Sequence, residues 1–130
     1  MKELFDHLKS RIESEGSLTV ADYMAEALGN QNYGYYRKGD PLGKNGDFIT
    51  SPEVSQMFGE LIGLWSAICW QQIGSPSKIN LVELGPGRGT LLVDAIRAVT
   101  GMPEYLDAIE LHLVETSPVL VQHQIRNLSA

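Results

Sequence analysis

The chain has 130 residues, 43% hydrophobic and 20% charged, which fits one globular domain of ordinary size. A formal net charge of -6 and a pI near 4.9 argue against non-specific nucleic-acid binding, which needs a basic face. The single cysteine, Cys69, excludes an intrachain disulfide and falls in an apolar helical pattern, as a buried structural thiol would.

His7, His112 and His123 show no metal-ligand spacing with Cys69 or with one another. The acidic, amphipathic start "MKELFDHLKSRIESEG" lacks a signal-peptide h-region. No apolar run approaches the roughly 20 residues that span a bilayer. A cytoplasmic protein without a membrane partner is expected.

Leu4, Phe5, Leu8 and Ile12 recur at helical spacing, so residues 3–14 read as an amphipathic helix that Gly16 ends. Thr19 and Asp22 have capping-box spacing for a second helix, with Val20, Tyr23, Met24, Ala27 and Leu28 as its stripe. Gly29 and Asn30 suit its end. Residues 30–49 carry glycines, tyrosines and a proline without periodicity. They read as a long loop, and such loops in compact domains usually serve function or motion. Thr50 and Glu53 have capping-box spacing for a strong helix, with Pro52 in its first turn. Its stripe of Val54, Met57, Phe58, Leu61, Ile62, Trp65 and Ile68 is expected in the core. Gly74 to Pro76 break it.

"INLVEL" is a short branched apolar run, a buried strand. "TLLVDAIRAV" reads as a helix, Gly101 to Pro103 break the pattern, and "LHLVE" reads as a second strand. Ser117-Pro118 opens a last helix. The expected organisation is a helical segment over 1–78, with a motif loop at 30–51, followed by a βαβ unit over 79–130.

Between the first strand and its helix stands "GPGRG", Gly85 to Gly89. Ligands of α/β folds bind beyond the carboxyl ends of parallel strands, and this loop occupies that place. Gly85 can supply the tight turn, Gly87 can let a ligand approach the backbone, and Gly89 can let the next helix pack close with its N–H groups facing the site. Glu115 closes the second strand, where an acid accepts hydrogen bonds from ribose hydroxyls. Loop and acid together imply an adenosine-containing ligand. A dinucleotide site would read G-x-G-x-x-G, but Thr90 stands at the third position. The form here, G-x-G-x-G preceded by Glu83, resembles the first motif of class I S-adenosylmethionine-dependent methyltransferases. Glu83 or Asp47 beside a cationic ligand is electrostatically sensible.

The resemblance extends along residues 17–121. "DPLGKNGDFITSPEVSQMFGELIGLW", "LVELGPGRGT" and "LHLVETSPVL", in that order, resemble the MidA family, with "SLTVADYMAEAL" and "YGYY" as looser matches. That family includes bacterial proteins and mitochondrial arginine methyltransferases that assist respiratory complex I assembly. The resemblance implies a bacterial-type protein with the N-terminal part of a Rossmann-like methyltransferase fold, and S-adenosyl-L-methionine as cofactor. It implies that Gly85, Gly87, Gly89 and Glu115 sit at the cofactor. Gly46, Asp47, Phe48, Thr50, Pro52, Glu53, Ser55 and Gln56 are then expected to face the same site. Asp47 and Glu53 are the candidate catalytic carboxylates, because an arginine acceptor is protonated and needs a group to hold its charge or take its proton. The expected substrate is a protein, for instance a respiratory-complex subunit. Two other readings compete: an NAD-binding oxidoreductase segment, and a non-catalytic cofactor-binding or assembly module. The fold implied has a seven-stranded sheet, of which two strands can be placed here. The open edge of the first strand then predicts self-association.

Overall fold

The computed structural model describes residues 2–37 and 46–129. The middle of the expected motif loop, 38–45, lies outside the described residues. The chain divides into two compact units, Met1–Asp40 with Thr116–Val119, and Pro41–Glu115 with Leu120–Ala130.

In the first unit, helix α1 (Lys2–Glu15) buries none of its residues. It is fastened by charge instead. The Glu26 carboxylate accepts from His7 Nε2 and from Arg11, both at 3.0 Å, and from the Asn30 amide at 2.5 Å. The Asn30 hydrogen bond, working against burial, holds the Glu26 carboxyl below the usual range. Thr19 caps α2 (Val20–Met24) as its spacing predicts: its hydroxyl accepts from the Asp22 N–H at 3.1 Å and donates to the Asp22 carboxylate at 2.5 Å. The helix then widens into a π turn, Ala25–Gly29. Asn30 bonds back to the N–H groups of Asn32 and Tyr33, an Asx turn that leads into a 3₁₀ turn, Tyr35–Arg37. The Arg37 guanidinium donates to the Thr116 carbonyl, and Ser117 beside it is completely buried.

The second unit holds α3 (Ser51–Val54), α4 (Gln56–Gln72), β1 (Ile79–Leu84), α5 (Thr90–Ala98), α6 (Pro103–Ala108), β2 (Ile109–Val114) and most of α7 (Pro118–Leu128). The strong helix expected from Thr50 is interrupted. Ser55 is extended, with φ -153° and ψ 130°, and its side chain caps α4 by accepting from the Met57 N–H at 3.3 Å. Thr50 stands at the N-cap of α3 without a side-chain cap bond, so the Thr50–Glu53 capping box does not form.

The expected core stripe of α4 is also corrected. Leu61 is 60% exposed and Trp65 63%, while Gly59, Gly63, Ala67 and Trp70 are the buried residues. The small residues let α4 lie almost against the α5 backbone. A Cβ on Gly63 would stand 2.4 Å from the Ala95 carbonyl oxygen, and one on Gly59 would stand 2.7 Å from Asp94 Cβ. This packing joins α4 to the strands within the second unit.

Strands β1 and β2 pair in parallel, Ile79 opposite Ile109 through Leu84 opposite Val114. Their side chains alternate between half-buried and exposed. Ile79, Leu81 and Glu83 share the inner face, while Val82 and Leu84 point outward. The core is Ala67, Trp70, Val99, Tyr105 and Ala108, with Ile79 and Ile109 packed on it. It therefore sits at the amino ends of the strands. Its polar atoms are satisfied: the Tyr105 hydroxyl donates to Ser66 Oγ at 2.8 Å, and Trp70 Nε1 donates to the Pro76 carbonyl at 2.9 Å. No helix among the described residues is long and apolar enough to cross a membrane.

Candidate cofactor site

The site is built at the other end of the sheet. β1 runs into Gly85, whose N–H donates to the Val114 carbonyl at 2.9 Å. The glycine turn thus leaves the sheet beside the end of β2, which stops at Val114, so Glu115 follows the strand rather than closing it. Gly85, Gly87 and Gly89 all have positive φ, 68°, 58° and 79°, a backbone that side chains resist.

Their surroundings differ. Gly85 is exposed, and a Cβ on it would meet nothing within 4 Å. Gly87 is buried, and its carbonyl accepts from Gln124 Nε2 at 2.7 Å. A Cβ on Gly89 would stand 3.6 Å from Gln124 Cγ. Asn127 Nδ2 donates to the Arg88 carbonyl at 2.9 Å. The loop is therefore moulded onto α7, and Gly85, rather than Gly87, offers the open backbone. The only trace of Gln124 and Asn127 in the sequence is a pair of carboxamides three residues apart on an amphipathic helix.

Glu83 lies on the inner face of β1 just before the turn. Its Oε2 is buried without a hydrogen-bond partner, and burial pushes its carboxyl above the usual carboxylate range. An orphaned acceptor beside an open glycine turn fits the donors of a methionyl ammonium group. A raised folded pKa means that the native state binds the extra proton. Stability attributable to Glu83 is therefore full at low pH and declines as pH rises from the ordinary carboxylate range through the raised value. Glu83→Gln is expected to remove that decline. Urea midpoints between pH 4 and 8 should separate progressively, with the variant more stable at neutral pH. Parallel profiles would refute the assignment.

Glu115 is half-buried and lines an apolar groove of about 350 Å³ with Leu113, Val121, Gln124, Ile125 and Leu128. That volume lies within the range of small-ligand pockets. Gly46 is half-buried, Asp47, Phe48 and Thr50 are exposed, and Phe48 forms a single β-bridge. Pro52 occupies the first turn of α3. From this stretch Glu53 reaches the glycine loop: its Oε1 accepts from the Thr90 hydroxyl at 2.7 Å. The carboxylate expected to be catalytic is thus engaged at the first residue of α5. No spacing in the sequence links these two residues.

Residues 61–130 match the family of S-adenosyl-L-methionine-dependent methyltransferases, and the chain belongs to that family. It is 49% identical over 128 residues to the protein arginine methyltransferase NDUFAF7, mitochondrial, of Xenopus laevis, a match covering 97% of this chain and 29% of that protein. Against the human protein of the same name, identity is 49% over 125 residues, covering 95% of this chain and 28% of that protein. The chain thus spans less than a third of the length of these relatives. Both names carry the word mitochondrial, which runs against the cytoplasmic location expected from the sequence. The fold is similar to the crystal structure of a COG1565 superfamily member from Burkholderia thailandensis bound to S-adenosyl-homocysteine. That match has a TM-score of 0.80 and 25% identity, and covers 98% of this chain and 33% of that one. The α/β reading, with its parallel pair as part of a Rossmann-like methyltransferase fold, is borne out.

Proposed function

We propose that this chain supplies the S-adenosyl-L-methionine site of a protein methyltransferase whose acceptor is an arginine side chain. The observation that supports the reading is the open turn at Gly85, hydrogen-bonded to the Val114 carbonyl, the residue that precedes Glu115. Glu115 would accept from the ribose hydroxyls, and Glu83 from the ammonium group. Gly85 leaves room for the ligand backbone. The cofactor supplies an electrophilic methyl group on a sulfonium. The residues contribute alignment and charge. Asp47 and Glu53 are the carboxylates proposed to hold the acceptor guanidinium and take its proton. The arginine acceptor follows from the names of the relatives, and a respiratory-complex subunit as the protein that carries it follows from the MidA resemblance.

Calorimetry with S-adenosyl-L-methionine and with NAD, on this chain and on Gly85→Ala, tests the proposal. The methyl donor should bind, and at least tenfold more weakly in the variant, because the added methyl group enters the ligand's space. Heat with NAD alone would remove the reading in favour of an oxidoreductase segment. Self-association through the sheet edge belongs to the same proposal. Light scattering on the same samples should give a mass above the monomer, and a monomer's mass would remove it.

A further inference from the structure

We infer that Glu53 is a specificity-determining residue that turns the glycine loop away from adenosine phosphates and toward a cationic 5′ substituent. The inference rests on the proposed cofactor site. In α/β folds the glycine loop leads into a helix whose first-turn N–H groups and positive dipole end attract the phosphate of a nucleotide. Here that helix is α5, nine residues long, with Gly89 as N-cap and no side-chain cap bond. Its amino end is not left to a ligand anion. The Thr90 hydroxyl, on the first residue of α5, donates to Glu53 Oε1 at 2.7 Å. The protein's own carboxylate is therefore held at the head of α5, on the same residue that begins the helix.

The local backbone explains how it gets there. Ser55 breaks the helix, so α3 is a single turn that is free of the α4 axis and lies against α5. Glu53 is half-buried, so its charge is less screened than a surface carboxylate's. A phosphate at the loop would meet like charge in a partly desolvated place, whereas a sulfonium would meet opposite charge. The hydrogen bond also gives the loop a rigid reference, because Thr90 follows Gly89 directly.

The test is calorimetry with adenosine, AMP, S-adenosyl-homocysteine and S-adenosyl-L-methionine on the wild-type chain, Glu53→Gln and Glu53→Asp. In Glu53→Gln the affinity ratio of AMP to adenosine should rise at least tenfold, and the preference for the sulfonium over its neutral thioether should fall. Glu53→Asp keeps the charge but is one methylene shorter, which breaks the bond to Thr90, so like Thr90→Val it should shift the ratio less than Glu53→Gln does. Thr90→Val, which removes the tether but not the carboxylate, should shift the AMP ratio in the same direction by a smaller factor. It also provides the measurement should Glu53→Gln fail to fold. An AMP ratio unchanged in both Glu53→Gln and Thr90→Val overturns the inference while leaving the cofactor site standing. A wild-type chain that binds neither adenosine nor S-adenosyl-homocysteine overturns both.

Discussion

Gly63→Val is expected to destabilise the chain by about 3 kcal/mol, near the upper end of overpacking costs. The position lies where α4 and α5 touch. A Cβ there would meet the Ala95 carbonyl oxygen at 2.4 Å, its Cα at 2.7 Å and its carbonyl carbon at 2.8 Å. All three are backbone atoms, so no rotamer change relieves the clash, and α5 has to move away with the glycine loop at its head. Gly63→Ala should cost less, on the order of 1–2 kcal/mol, since alanine recovers about 1 kcal/mol of helix propensity. Gly101→Ala is the control: a Cβ there meets nothing within 4 Å, and its φ is not positive. Its effect should stay within about 0.5 kcal/mol. Urea midpoints at constant slope measure all three. Were Gly63→Val to unfold at the wild-type midpoint, the close helix pairing would be wrong.

Glu115→Ala is expected to weaken S-adenosyl-L-methionine binding on the order of 100-fold. Two hydrogen bonds from ribose hydroxyls to a carboxylate are at stake, each worth about 1.5–3 kcal/mol when charge-assisted, less what water returns. Glu115 is only half-buried and follows the last residue of β2, so the fold should survive its loss. Glu115→Gln keeps one acceptor and should fall between, at roughly tenfold. A 2′-deoxy analogue separates recognition from general damage. The wild type should bind it more weakly than the parent ligand, and Glu115→Ala should bind the two alike. Discrimination that persists in the variant would move ribose recognition to another residue.

Where structure depends on near neighbours, the sequence was a good guide. "INLVEL" is the whole of β1, Thr19 caps its helix through Asp22, and the three glycines of the loop all adopt the positive φ their residue type permits. The parallel pairing follows from a strand, a helix and a second strand in that order. Where structure depends on distant partners, the pattern misled. Large apolar side chains on α4 suggested a buried stripe, but the partner backbone comes too close for them, and Gly59, Gly63 and Ala67 fill the contact. Two hydroxyl residues, Thr50 and Ser55, could each cap a helix, and only the second does. The glycine loop, Glu83 and Glu115 were legible because motif and strand end coincide. The tie from Glu53 to Thr90 and the seating of the loop on Gln124 were not, since each spans 37 residues of sequence.

The packed aromatic centre around Tyr105 takes in the first residues of both strands, Ile79 and Ile109, whereas the glycine turn follows their last. Five strand steps, roughly 17 Å, separate the two. Substitutions that far apart, with no shared neighbours, usually combine additively. Thermal hardening can therefore be sought around Tyr105 without retuning ligand recognition, so this chain offers an engineer two independent dials.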